Sequence, residues 1–349
     1  MVSPARAIAS ILDRQAIAAN LACHAFGLDR RDVALIRRAY IEDATVAYGL
    51  FGGRALDFAE MIAGFMATLP PTQHRTSNIL IRVDGDTARS ESYVVAAMTL
   101  PDGEAPHTSL VQGRYLDRHR RVGNAWRIEH RTYVFDWHIN AKVEGPLSEA
   151  LPVAAAQSAP PLRPALPLKE TDMSLSDDLR AGLEQVLTRN AIRDLIMLQC
   201  RAIDRGDENL LRTVWHPEAN VDLGFFTGSS DEFCPFIISA TAGMQRMSHT
   251  VANEYIEVRG EEAVAESYVV AFTTFEEAAD EPIDEITAGR YLDRFARRDG
   301  AWKFTERRFV KDFAMRQPAQ LETPEDMTAQ LNLRGKRSAE DPSYEFWAD

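Results

Sequence analysis

Two histidines in this chain each follow an aspartate by 45 residues: His74 after Asp29, and His249 after Asp204. Only eight histidines occur in the 349 residues, so two matched pairs stand out. The residue types define what such a pair can do. A neutral imidazole is a competent base near pH 7. A carboxylate bonded to its other ring nitrogen fixes the tautomer and stabilises the imidazolium that forms. Together they can remove a proton from carbon while a group leaves the neighbouring atom, with no metal or organic cofactor. Taken singly, an Asp in a turn is an ordinary helix cap, and a strand His is an ordinary hydrogen-bonded residue. The repetition of the pair is what points to chemistry.

The pairs fall in register because the chain is written twice. "ESYVVA" occurs at Glu91–Ala96 and again at Glu266–Ala271, 175 residues on. At the same offset "DRQAI" (Asp13–Ile17) meets "TRNAI" (Thr188–Ile192), and "LDRRD" (Leu28–Asp32) meets "IDRGD" (Ile203–Asp207). Gly49 and Phe51 meet Gly224 and Phe226. After a slip of one residue, "GRYLDR" recurs at Gly113–Arg118 and Gly289–Arg294, and "NAWRIEHR" meets "GAWKFTER". A repeat of this length means two domains and not a solenoid. The expected division is a first copy over 1–144, a linker over 145–179, a second copy over 180–318 and a polar tail over 319–349. Six prolines, Pro146, Pro152, Pro160, Pro161, Pro164 and Pro167, mark the linker. The tail's "YEFW" is open to docking on a domain or to disorder.

Each copy must position its pair with the same elements. Asp13 and Thr188 are read as N-caps of a first helix, carrying Ile17 and Leu21, or Ile192 and Ile196, at helical spacing. Asp32 and Asp207 are placed to cap a second helix. A strand follows ("ATVAYGLF", "ANVDLGFF"), then a helix around Phe58–Leu69 or Asp231–Met244. A hairpin turned at Asp84–Asp86 and two more long strands complete the unit. Helices followed by a strongly curved antiparallel sheet make an α+β domain. "ESYVVA" reads as a buried central strand kept for packing, with Tyr93 and Tyr268 in the core.

Composition narrows the partners. The net charge is −13, which gains nothing from counterion release on nucleic acid. No apolar run approaches the roughly 20 residues of a membrane span. The first residues show helical spacing and no uninterrupted signal-peptide core. Cys23, Cys200 and Cys234 offer neither a disulfide framework nor metal-ligand spacing. The expectation is a cytoplasmic protein without metal or cofactor.

The order of helix, "D-R-x-D" turn, apolar helix, strand, His-x-x-x-Asn segment and closing "G-x-W-[RK]" strand resembles the SnoaL-like branch of the nuclear-transport-factor-2-like superfamily. That resemblance covers about 130 residues of each copy. It implies two tandem cones, each a curved sheet with N-terminal helices around an apolar pocket. It also implies that Asp29 with His74, and Asp204 with His249, form the Asp–His dyad of dehydratase and dehydrochlorinase members, with Asn78 and Asn253 matching as well. Arg131 and Arg307 match an arginine that assists the leaving group in dehydrochlorinase-like members; the plainer reading is a rim arginine paired with a Glu on the next strand. His24 and Gln199 stand where bile-acid-dehydratase-like members carry a Tyr. His24 is then a candidate acid for a departing hydroxyl, or a helix residue reaching solvent. Phe51 and Phe226 are expected to line the pocket or pack the core.

The expected function is a cofactor-independent lyase, of dehydratase type, or an isomerase acting on a hydrophobic ring-containing small molecule. A non-catalytic binding or scaffold protein and a polyketide-type cyclase remain open at this point. The duplication predicts an intramolecular pseudo-dimer, with further homo-oligomers allowed.

Overall fold

The structure is a computed structural model and describes residues 4–70, 72–100, 107–142, 177–276, 281–319 and 327–348. Most of the expected linker over 145–179 lies outside these residues. Its last part does not: helix α4 opens at Asp177. The chain divides into two compact units. One holds the first copy from Ile8 on, with tail residues 327–335 and 345–348. The other holds the second copy, with residues 4–7 and 336–344.

The first copy starts with α1 (Pro4–Arg30) and α2 (Val33–Arg38). Asp32 caps α2 by accepting the Leu35 amide at 2.9 Å. Asp13 is no cap. It lies three turns inside α1, where its carboxylate accepts from Trp126 Nε1 at 2.9 Å and from Arg121 at 2.8 Å. Thr188 is likewise interior to α4 (Asp177–Arg205). Both helices start earlier because nothing in the preceding residues breaks them.

Strands β1 (Tyr40–Ala47) and β2 (Gly52–Arg54) lead into α3 (Ala55–Ala67). Then β3 (Gln73–Asp84), β4 (Thr87–Leu100), β5 (His107–Val122) and β6 (Ala125–Lys142) form a meander. The sheet order is β2-β1-β6-β5-β4-β3. It is antiparallel except for β1 with β6, which run parallel. The expected sheet is therefore mixed, because β1 returns beside the last strand across the helices.

The second copy repeats this with α4, α5 (Glu208–Val214), β7 (Trp215–Asp222), β8 (Thr227–Ser229), α6 (Ser230–Ala240), β9 (Arg246–Arg259), β10 (Glu262–Glu276), β11 (Pro282–Arg298) and β12 (Ala301–Pro318). The order is β8-β7-β12-β11-β10-β9. The tail ends in α7 (Pro342–Ala348), so its "YEFW" is helical. None of the described helices is long and apolar enough to cross a membrane.

Two repeated residues earn their place by bending the sheet. Asn78 and Asn253 have φ of 47° and 53°, in the left-handed region. Each sits where β3 or β9 gains one residue over its partner strand, a bulge that sharpens the curl. Asn tolerates this backbone better than other L-residues bearing a Cβ. Gly113 and Gly289 serve closure differently: a Cβ would meet the carbonyl oxygen of Val134 at 2.4 Å or of Val310 at 2.3 Å. Asn78→Ala is accordingly expected to cost about 1–2 kcal/mol, and Asn78→Gly less. Thermal unfolding of the two variants checks this, and a more stable Ala variant would refute it.

"ESYVVA" proves to be more than packing. Val94, Ala96, Val269 and Ala271 line cavities. On the opposite face Glu91 and Glu266 pair with Arg114 and Arg290, each at 3.4 Å. Tyr93 is buried, but Tyr268 is 48% exposed, so the core expectation fails for the second copy. In the first copy Trp347 from α7 donates to Glu91 at 2.7 Å, and Arg89 donates to the Phe346 carbonyl. Among the described residues no such cover lies over Glu266, which is about half exposed.

Candidate active site

Each curved sheet closes on an apolar cavity, of about 370 Å3 in the first copy and about 340 Å3 in the second. These lie at the small end of ligand pockets, sized for one or two rings. His74 and His249 line them. Their cross-strand neighbours are Ala96 and Ala271, whose small side chains leave the rings room.

The structure brings each Asp onto its His. Nδ1 of His74 lies 2.6 Å from Asp29 Oδ1, and the His74 amide donates to Oδ2 at 2.9 Å. Nδ1 of His249 lies 2.6 Å from Asp204 Oδ1, and its amide donates to Oδ2 at 3.1 Å. Each carboxylate is thus held in the plane of its partner by two bonds, one from backbone. The Thr72 hydroxyl adds a third to Asp29 at 3.1 Å. In the first copy, occupation of Nδ1 leaves Nε2 of His74 as the ring nitrogen toward the cavity. The two aspartates differ in cover: Asp29 retains 21% exposure, whereas Asp204 is sealed. Beside Asp204, Arg337 from the tail donates to the Ile203 carbonyl and the Thr241 hydroxyl.

Arg131 and Arg307 are not at a rim, and their partners are not glutamates. Both are fully buried. Arg131 forms a two-point bond to Asp117 at 2.7 Å for each contact, and Arg307 does the same with Asp293. Burial opposes the guanidinium charge, but the aspartate at this distance outweighs it and keeps the arginine protonated. Each guanidinium also lies over a tyrosine ring, Tyr115 or Tyr291, at 3.8 Å. Arg307 reaches the second cavity wall; in the first copy Tyr115 lines the cavity while Arg131 stays behind it.

This arrangement explains His24 and Gln199. Arg131 Nη1 meets His24 Nδ1 at 3.0 Å, and Arg307 Nη1 donates to Gln199 Oε1 at 2.5 Å. An arginine can only donate, so His24 Nδ1 accepts. Burial, with Arg131 adding to it, holds His24 well below its ordinary pKa, so the ring is neutral. Its proton is therefore on Nε2, donated to the Tyr40 hydroxyl at 3.0 Å. His24 faces neither the cavity nor solvent. It is not an acid for a leaving group; it is an acceptor for the arginine, the task Gln199 performs in the second copy.

Phe51 and Phe226 are core residues outside both cavity walls. Phe51 packs at 5.7 Å from Phe58, and Phe226 at 5.5 Å from Phe233.

Three tyrosines of the first cavity escaped the sequence reading. Tyr48 stacks on Phe58 at 4.3 Å and on Tyr133 at 5.5 Å, with Tyr115 close by. Burial raises the pKa of all three hydroxyls, so they stay protonated donors. The Tyr48 hydroxyl sits in the field of Arg131 but makes no hydrogen bond of normal geometry to a described residue. At the matching positions the second copy has Leu223, Tyr291 and Phe309. The second cavity instead carries polar groups near its mouth, among them Thr273, Thr287 and the paired Glu285 and Arg316. Among the described residues, no three His, Cys, Asp or Glu side chains cluster as a metal site needs.

Comparison with known proteins agrees with this architecture. An uncharacterized protein of Mycobacterium tuberculosis (strain H37Rv) is 28% identical over 127 residues, spanning 36% of this chain and 86% of its own. The hexachlorocyclohexane dehydrochlorinase LinA-type3 of Novosphingobium barchaimii is 22% identical, with a TM-score of 0.37, over 41% of this chain and 99% of its own. A Kribbella flavida protein of solved structure is 14% identical, with a TM-score of 0.36, over 38% and 95%. The SnoaL-like domain pattern matches residues 9–132 and again 184–308, more than half the chain, and the protein belongs to the SnoaL-like domain family with two tandem copies.

Proposed function

We propose that the protein is a cofactor-independent lyase, of the elimination type, or an isomerase, acting on small hydrophobic ring compounds through His74 and His249 as bases. The observation that carries this is the 2.6 Å contact of each Nδ1 with a carboxylate, repeated in both copies at an apolar cavity. The carboxylate fixes the proton on Nδ1 and leaves Nε2 unprotonated toward the ligand. A C–H placed against Nε2 gives up its proton, the imidazolium is stabilised by the Asp, and the electron pair expels a neighbouring group or shifts a double bond. The apolar wall removes competing water. A pure binding protein has no need of a carboxylate oriented on a wall histidine in both copies, and this favours the enzymatic reading.

The test uses 2-tetralone, a bicyclic ketone with an acidic C–H, in D2O, with deuterium uptake followed by NMR. Wild type is expected to accelerate exchange over buffer. The double variant His74→Ala with His249→Ala is expected to lose on the order of 10² to 10⁴ of that rate, the scale of a general base. Its melting temperature is expected to stay within a few degrees of wild type. Wild-type exchange in the double variant would remove the catalytic reading.

A further inference from the structure

Among the described residues, the tail beyond the second copy lines the first cavity and not the second. Its 3-10 turn Met327–Gln330 and the residues up to Gly335 lie against the first copy. Gln330 and Leu331 line the first cavity, and Leu331 is 5% exposed among Met66, Val94 and Tyr133. The segment is anchored by backbone. The Phe135 amide donates to the Leu333 carbonyl at 2.9 Å, and the Gly335 amide donates to the Phe135 carbonyl at 2.7 Å. Arg334 lies 4.4 Å from the Phe135 ring and donates to the Thr328 carbonyl at 2.9 Å. Among the described residues lining the second cavity, none comes from the tail.

The two copies supply an internal control for this contact. Gly49 and Gly224 occupy the same place in the repeat, with φ of 81° and 80°. A Cβ on Gly49 would meet Gln330 O at 2.7 Å and the Asn332 amide nitrogen at 2.8 Å; a Cβ on Gly224 would meet nothing within 4 Å. The backbone requirement is shared, and at this glycine the tail approaches closely in the first copy and not in the second, among the described residues.

We propose that residues 327–335 are a specificity wall added to the first copy from outside its family domain, with Leu331 setting the length of ligand accepted. The first site thereby selects uncharged molecules of one or two fused rings, bounded at one end by Leu331. This rests on the cavity being the ligand site, but not on His74 acting as a base.

The experiment uses the full chain in an Ala271→Phe background, which fills the second cavity. Binding of 2-naphthol and of 1-hydroxypyrene is followed by their fluorescence. The parent is expected to prefer 2-naphthol. Leu331→Ala is expected to gain at least about tenfold in 1-hydroxypyrene affinity, and Leu331→Phe to lose about tenfold for 2-naphthol, the scale of pocket-size discrimination. Gly49→Ala is expected to relax the ring-size preference as Leu331→Ala does, while Gly224→Ala leaves it unchanged. These comparisons separate lost selectivity from lost folding. An unchanged preference in Leu331→Ala, Leu331→Phe and Gly49→Ala would overturn the proposal. His74→Ala is expected to retain the ring-size preference while losing exchange, so failure of the base reading is told apart from failure of this one.

Discussion

Asp117→Asn is expected to destabilise the first copy by about 3–5 kcal/mol, and Asp293→Asn the second by as much, because each leaves a fully buried guanidinium without its counter-charge. The local structure gives no escape. Arg131 is 0% exposed, its Nε and Nη2 both point at the same carboxylate, and the remaining neighbours are aromatic rings and a neutral histidine. An amide can accept only one of the two bonds and carries no charge. Amide hydrogen exchange read over each copy checks the effect, since a mutation in one domain should lower protection there first. The same logic orders substitutions at His24. His24→Gln keeps an acceptor for Arg131, as Gln199 does for Arg307. His24→Leu strands a charged donor and is expected to cost about 1–2 kcal/mol more. An Asp117→Asn variant with wild-type protection would show that the pair contributes nothing to the fold.

The parts of the structure legible in the sequence are those fixed by short-range rules or by repetition. Asp32 and Asp207 cap their helices as their positions required, and the Asp84–Asp86 turn closes the β3–β4 hairpin. The Asp–His contacts were implied by the family resemblance and supported by two equal spacings kept through duplication. What stayed hidden depends on which strand lies beside which. Nothing local to Asp117 says that Arg131 lies opposite it, since that contact arises only when β5 pairs with β6. The signal was nevertheless on the page, because "GRYLDR" repeats letter for letter and holds the Gly, the Tyr and the Asp of this arrangement. Asp13 shows the converse error: a residue favoured at caps was read as a cap, whereas α1 runs through it and Trp126 is its partner. The exposure of Tyr268 against burial of Tyr93 could not be read from six identical letters. It depends on what covers the outer face of each sheet, which is written elsewhere in the chain.

The copies also differ in the wall opposite the histidine, and this bears on what the dyad can do. Tyr48 and Tyr133 of the first cavity are Leu223 and Phe309 in the second. The second cavity therefore lacks two phenol hydroxyls that the first one carries. His24 contributes nothing to that difference, because both its ring nitrogens are engaged away from the cavity.

Asp29→Asn is expected to lower deuterium exchange into 2-tetralone by on the order of 10² to 10⁴ in a His249→Ala background, with the imidazole still in place. The carboxylate oxygen nearest His74 accepts the proton on Nδ1, while the other accepts the His74 amide. An asparagine turned to keep the amide bond must present its NH2 to Nδ1. The ring then accepts at Nδ1 and carries its proton on Nε2, so the nitrogen left for the cavity becomes a donor and ceases to be a base. This distinguishes orientation from mere proximity: His74→Ala removes the ring, whereas Asp29→Asn keeps the ring and inverts its tautomer. Nitrogen NMR of the imidazole reads the inversion directly, as protonation moving from Nδ1 to Nε2. The loss is one of tautomer and not of the ring itself. If Asp29→Asn exchanges 2-tetralone within a few-fold of its parent while the tautomer inverts, Nε2 of His74 is not the base.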